Sequence, residues 1–307
     1  MPLVVGPNDV RDGLTVMCAM DMYQTFPGEL TPPLDGRLAG DWDVVGYLNA
    51  VDAVLRFRLP MGLGDSVFYG VLLRSKSDAS QHVIAIRGTE GLAEWAENAQ
   101  FVPVAHSKAG MVEQGFWGIY SSMSLRSAPI AQRGAAPAPP ANTHATLVTD
   151  IANAVGEGTL TVAGHSLGAA LATYLTFDLV AAMGDRVSAC MFASPHTGDP
   201  EFVNAFDQTV ATYTLYNYML DLVPQVPTGP VFVRLPRATD LRPSQAQARI
   251  RFSLPCNHHI VCYCAMLDYQ QTAAMPKVAN DQSCVLCIED EKEPTPEPDV
   301  DAFQALP

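Results

Sequence analysis

Thr159 to Tyr174 reads "TLTVAGHSLGAALATY". Its first residues are β-branched and apolar, suited to a short strand, and its last six favour helix strongly. Only Gly164-His165-Ser166-Leu167-Gly168 lie between, so strand must pass to helix without an intervening loop. A junction this sharp demands positions without a Cβ, which Gly164 and Gly168 supply, and it leaves Ser166 at the point of the turn above the sheet edge. A bare G-x-S-x-G arises by accident in roughly one chain in ten of this length. The flanking strand and helix therefore carry the reading of a nucleophile elbow. The helix starting at Leu167 adds free N–H groups and a partial positive charge behind the serine.

The surrounding chain fits a layered α/β fold. Helical "ATLVTDIANAV", strand "TLTVAG", helical "SLGAALATYLTFDLVAAM" and strand "VSACMFAS" alternate, which argues for parallel strands joined by crossover helices. Upstream, "SVFYGVLLRS" and "HVIAIRG" read as neighbouring strands around the polar turn "KSDASQ". "GLTVMCAMDMYQTF" reads as a helix, "FPGELTPPLDGRLAGDW" as a Pro/Gly loop, and "EGLAEWAENAQF" and "GFWGIYSSM" as helical stretches. Ser127 to Thr143, "SAPIAQRGAAPAPPANT", is an Ala/Pro-rich surface insertion that cannot sustain a helix. The expectation is one domain over residues 1–285, with its core at about 65–270, followed by an acidic, disordered tail over 286–307.

Charge excludes one class of partner. The chain of 307 residues has 18 Lys and Arg against 32 Asp and Glu, a net charge of -14, which is the wrong sign for nucleic acid. Part of that excess sits in "EDEKEPTPEPDVD", Glu289 to Asp301, where seven acids face Lys292. No transmembrane segment is expected: the most apolar run, Ala169 to Met183, is short and contains Asp178. The N-terminus lacks the basic-then-apolar pattern of a signal peptide, which fits an intracellular chain, one whose signal is absent from this sequence, or one exported by another route.

Seven cysteines, Cys18, Cys190, Cys256, Cys262, Cys264, Cys284 and Cys287, admit three readings. The last five could ligate zinc, although C-x-C is not the usual finger spacing; some could pair as disulfides; or they are small buried hydrophobes.

Six ordered blocks, "IRGTEGLAEW", "GFWGIY", "VAGHSLGAALA", "FASPHTGDPEF", "YNYMLDLVPQVP" and "HHIVCYCAML", resemble those of the class 3, fungal-type lipases. The resemblance covers about residues 65–270. It implies an α/β-hydrolase fold with a central, mostly parallel sheet flanked by helices, and hydrolysis of neutral acylglycerol-type esters without metal or cofactor. It also implies a lipid or other ester partner met at an oil–water interface. A serine hydroxyl needs a base, and the base needs a carboxylate to fix its tautomer, in the chain order Ser, acid, His. After Ser166, Asp221 follows an apolar run and matches the family's D-x-V-P block, while Asp199 and Asp207 are rivals by order alone. His258 has the family's H-x-x-x-x-Y spacing to Tyr263, and His259 is the adjacent alternative. His196 precedes Asp221 and breaks the order, and His165 at the elbow points away from the serine.

The oxyanion donors implied are the Leu167 N–H and Thr89, through its N–H and hydroxyl. "EGLAEWAENAQF" corresponds to the family's lid, with Trp95 as its apolar face. Its glutamates leave open a fixed, solvated rim instead. The sequence departs from the family in having Ala169 for a second glycine, the Ala/Pro insertion, and Glu113-Gln114 where a histidine is common. Alternatives within the class are a short-chain esterase and a phospholipase A1. Outside it stand a non-catalytic binding protein of lipase fold and a zinc or cysteine hydrolase built on Cys256, His258 and His259.

Overall fold

The computed structural model describes residues 5–51, 66–89, 101–128, 144–275 and 287–288. Among the described residues, eight strands form one sheet: β1 (Trp42–Val51), β2 (Ser66–Ser75), β3 (Gln81–Ile86), β6 (Ser124–Ser127), β7 (Thr159–His165), β8 (Val187–Phe192), β9 (Tyr213–Tyr218) and β10 (Ala238–Leu241). Their order is β10-β9-β8-β7-β3-β2-β1-β6. From β3 through β7, β8 and β9 to β10 every pairing is parallel, whereas β3-β2, β2-β1 and β1-β6 are antiparallel. The polar turn "KSDASQ" joins β2 and β3 as an antiparallel hairpin. Two short strands, β4 (Pro103–Ala105) and β5 (Met111–Glu113), pair separately.

Period-two alternation places apolar side chains on both faces of the sheet, so both must be covered. Ile84, Leu160, Val162, Met191 and Leu215 face a core closed by α2 (Gln114–Tyr120), α3 (His144–Val155), α4 (Leu167–Met183) and α5 (Pro200–Thr209). Val83, Ala163, Cys190, Phe192 and Tyr216 face a second core under α1 (Asp9–Thr25) and α7 (Ile260–Leu267). Two further short helices, α6 (Leu254–His258) and α8 (Tyr269–Ala273), flank α7. Helix α4 is apolar all round, and 13 of its 17 residues are buried, as a central core helix requires. With the following turn it is also long and apolar enough to cross a bilayer, but it is packed inside the protein.

Several expectations need adjustment. Cys256 and Cys287 form a disulfide, with Cα atoms 5.2 Å apart, while Cys18, Cys190, Cys262 and Cys264 are free and buried. Among the described residues, Cys190 alone of these cysteines falls in a group spaced to hold a metal ion. The pairing also fastens the start of the expected tail, since Cys287 and Ile288 are buried against the body. The expected insertion starts one residue too early, since Ser127 ends β6; its residues 129–143, Trp95 with its lid candidate, Cys284 and the acidic run after Ile288 lie outside the described residues.

Candidate functional site

β7 ends at the centre of the sheet, and Ser166 follows with φ 62° and ψ −129°. A non-glycine residue adopts this region only at a cost of about 1–3 kcal/mol, met by surrounding structure that fixes the turn. The Ser166 N–H donates to the Phe192 carbonyl at 2.9 Å, tying the elbow to the neighbouring β8. The two motif glycines have distinct duties. A Cβ on Gly164 would overlap the Gly168 carbonyl, and one on Gly168 would overlap the carbonyls of Ile86 and Arg87 at the end of β3. Helix and strand therefore approach more closely than any side chain allows. Ala169 is fully buried in the helix core without such a conflict.

Asp221 and His258 converge on this serine from 55 and 92 residues downstream. His258 Nε2 lies 2.8 Å from Ser166 Oγ, and His258 Nδ1 lies 2.7 Å from Asp221 Oδ2. Asp221 and Ser166 are each 1% exposed, while the His258 side chain, at 19%, forms the open edge. Two more donors fix the carboxylate. The Val223 N–H reaches Oδ1 at 3.0 Å, and the Tyr263 hydroxyl reaches Oδ2 at 2.6 Å. Burial first, and then the Asp221 carboxylate, push the Tyr263 hydroxyl well above its ordinary pKa, so it stays a donor. The Tyr263 oxygen in turn accepts the Tyr218 N–H at 3.1 Å. Neither the Val223 N–H nor the Tyr263 hydroxyl was assigned a role from sequence; the H-x-x-x-x-Y spacing was the signal that pointed at Tyr263.

The rival residues are occupied elsewhere. Asp199 caps α5 by accepting the Phe202 N–H at 2.8 Å, and Asp207 accepts from the Tyr213 hydroxyl and from Arg237. His196 Nδ1 contacts the Pro227 carbonyl at 2.9 Å. His258 closes α6 rather than opening a helix; His259 caps α7, its Nδ1 accepting the Val261 N–H at 3.2 Å. His165 stacks against His258 with ring centroids 4.7 Å apart. Burial, then the nearby His258 and His259, depress its pKa far below the usual value, so it forms a neutral wall for the His258 ring. Glu113, at the family's usual histidine position, is buried and caps α2 by accepting the Phe116 N–H at 2.8 Å.

On the far side of Ser166, Gly88 packs so closely that a Cβ there would lie 3.1 Å from the serine Cβ. Arg87, fully buried, donates to the Gly88 carbonyl at 2.7 Å and to the Phe68 carbonyl at 2.7 Å, fixing the backbone that leads to half-buried Thr89. Leu167 is the first residue of α4, so its N–H has no intrahelical carbonyl to meet. Among the described residues, Asp9, Asp12 and Cys190 form a group whose spacing would suit a metal ion. Asp9 is already bonded to the Tyr216 hydroxyl and the Gly6 N–H, and Asp12 to Arg11.

Residues 83–230 match the lipase (class 3) family. Over that stretch the chain is similar to the class 3 lipases. Phospholipase A1-II 5 of Oryza sativa subsp. japonica is 30% identical over 224 residues, which is 62% of this chain and 47% of that protein. Phospholipase A1-IIgamma of Arabidopsis thaliana is 30% identical over 146 residues, 40% of this chain and 33% of that one. The chain thus spans about half or less of the length of these relatives. A Rhizomucor miehei lipase, solved in complex with its propeptide, aligns with a TM-score of 0.52 at 19% identity, over 76% of this chain and 68% of that one. At that identity the likeness is one of fold: the chain has the α/β-hydrolase architecture expected from its sequence.

Proposed function

We propose that the protein hydrolyses carboxylic esters by acyl transfer to Ser166, with His258 as general base and Asp221 as the carboxylate that orients it. The observation carrying this reading is the continuous hydrogen-bonded series Asp221–His258–Ser166, at 2.7 and 2.8 Å, ending on a serine with a strained backbone. With Nδ1 protonated toward Asp221, Nε2 is free to accept the Ser166 proton as Oγ attacks the acyl carbon. The resulting imidazolium returns that proton to the leaving alkoxide, and water repeats the sequence to release the acid. The tetrahedral oxygen meets the N–H groups of Leu167 and Thr89, each worth about 3 kcal/mol of transition-state stabilisation.

An apolar acyl substrate is supported by Met219 and Leu222, exposed beside Asp221, and by Phe252 and Leu254, exposed just ahead of His258. Together with the match to the class 3 lipase model, that exposure supports a neutral acylglycerol-type ester as substrate. A second reading, a phospholipase A1, is favoured by the names of the curated relatives. The net charge of -14 argues in either case against anionic lipid surfaces.

Initial rates on tributyrin and on phosphatidylcholine vesicles, with Ser166→Ala alongside, test the proposal. Faster hydrolysis of tributyrin, abolished in the variant, supports the acylglycerol reading, and a preference for phosphatidylcholine selects the second. Equal activity of the variant would refute both.

A further inference from the structure

His258 sits at the end of α6, a helix of only five residues, Leu254–His258. Helices this short do not persist without tertiary support. Little support comes from its outer side, where Leu254 is 65% exposed and Phe252 just ahead of it is also exposed. The attachments that remain are specific. Ser253 Oγ accepts the Cys256 N–H at 3.3 Å, Asn257 Nδ2 donates to the Leu220 carbonyl at 3.2 Å, and Cys256 is bonded covalently to Cys287. The segment bringing Cys287 is itself seated: the Arg251 N–H donates to the Cys287 carbonyl at 2.9 Å, and Ile250 pairs antiparallel with Ile288.

Two residues apart on an α-helix means about 200° around its axis, which puts Cys256 and His258 on opposite sides of the same turn. Cys256 is buried on the side of the body, where Cys287 meets it, and His258 faces Ser166 and Asp221. Fixing one side of a single turn fixes the other.

We propose that the Cys256–Cys287 disulfide is a positioning element for His258, setting the turn so that Nε2 and Nδ1 reach Ser166 and Asp221 together. The inference rests on His258 being the base of the proposed reaction. Both hydrogen bonds of the imidazole are already near their usual lengths, so a displacement of about 1 Å breaks one of them, and misplacement on that scale costs on the order of 10²-fold in rate. Cys262 lies close by, its Sγ 3.9 Å from the Cys287 carbonyl. Burial raises its pKa, so it stays a protonated thiol that does not attack the bridge. Opening therefore needs an external dithiol. The dithiol transfers two electrons and its two protons to the cystine, leaving Cys256 and Cys287 as thiols, and closes to its own disulfide.

The experiment compares the full-length wild type with Cys287→Ser on p-nitrophenyl butyrate. The expected result is a 10- to 100-fold fall in kcat with KM within twofold and an unchanged circular dichroism spectrum. Wild type opened with dithiothreitol should show the same fall, reversed on reoxidation. Retention of kcat within twofold by a Cys287→Ser protein that mass spectrometry shows to lack the bridge overturns the proposal. If Cys287→Ser does not fold, reduced wild type decides. Full activity with the cystine open, or activity lost only together with the folded spectrum, would each overturn the positioning role. Wild type that hydrolyses no ester sinks the reading of His258 as base and this inference with it, whereas an active wild type matched by its variant sinks the inference alone.

Discussion

Replacing Asp221 with asparagine probes the proposed chemistry through hydrogen-bond count alone. The Asp221 carboxylate accepts three hydrogen bonds, from Val223 N–H on Oδ1 and from His258 Nδ1 and the Tyr263 hydroxyl on Oδ2. Asparagine offers one oxygen and one NH2. With its oxygen toward His258, the NH2 opposes the Val223 N–H, donor against donor, in a site 1% exposed. That arrangement costs about 1–3 kcal/mol. With its oxygen toward Val223 the backbone bond survives and the Tyr263 hydroxyl can turn its proton away. His258 Nδ1 then becomes an acceptor and its proton moves to Nε2. This second arrangement leaves the Tyr263 proton unmet, against two opposed donors in the first, so it is favoured by at most roughly 5- to 150-fold, and in it the imidazole cannot accept the Ser166 proton. The attraction of a carboxylate for the imidazolium, about 4 kcal/mol at 4 Å with an effective dielectric of 20, is lost as well, a further factor of roughly 10³. The combined loss in kcat is about 10³- to 10⁵-fold with KM little changed, since none of these groups binds the ground-state substrate. Steady-state kinetics of Asp221→Asn on p-nitrophenyl butyrate read this directly. A variant retaining more than a tenth of wild-type kcat would refute the reasoning.

Other outcomes follow from the same contacts. Gly168→Ala sets a methyl group against the Ile86 and Arg87 carbonyls and should lower stability in urea by at least about 1–3 kcal/mol; an unchanged midpoint would mean that α4 can move off β3. Burial raises the Asp12 pKa to about 6, above its unfolded value. The stabilisation tied to its proton is therefore complete below about pH 4 and lost as pH rises through 6, a span of about 2–3 kcal/mol. Asp12→Asn should remove that slope from the stability–pH curve, and a variant curve parallel to the wild type would contradict it. Glu113→Ala should cost about 0.5–2 kcal/mol through the lost cap on α2, measured by thermal unfolding, with Glu113→Gln recovering most of it.

Local chemistry made the elbow legible. The demand for two Cβ-free positions around Ser166 is written within five residues, and the strand and helix beside it are strongly patterned. The helix at α1, the β2-β3 hairpin, α3, α4 and β8 were readable for the same reason. Asp221 and His258 were legible only as an order and a family resemblance, because nothing local tells a residue that it will meet another 55 or 92 positions away. The Val223 N–H on Asp221 left no trace, since a backbone donor has no identity in sequence. Glu113 stood out as a departure, but its cap depends on α2 beginning at the next residue. The Cys256–Cys287 pairing was invisible because spacing does not fix connectivity. β1 and β10 escaped notice: β1 is broken by register shifts between Val44 and Gly46 and between Leu48 and Asn49, and β10 has only four residues.

The central claim is that Ser166 is a nucleophile activated by His258. Its most direct measurement is intact-protein and peptide mass spectrometry after treatment with a p-nitrophenyl alkylphosphonate, which traps an activated serine covalently. The account predicts one phosphonyl group per chain, on the peptide containing Ser166, formed at least about 10²-fold more slowly in His258→Ala and absent in Ser166→Ala. Stoichiometric labelling of any other residue, or labelling of Ser166 at the same rate without His258, would contradict it.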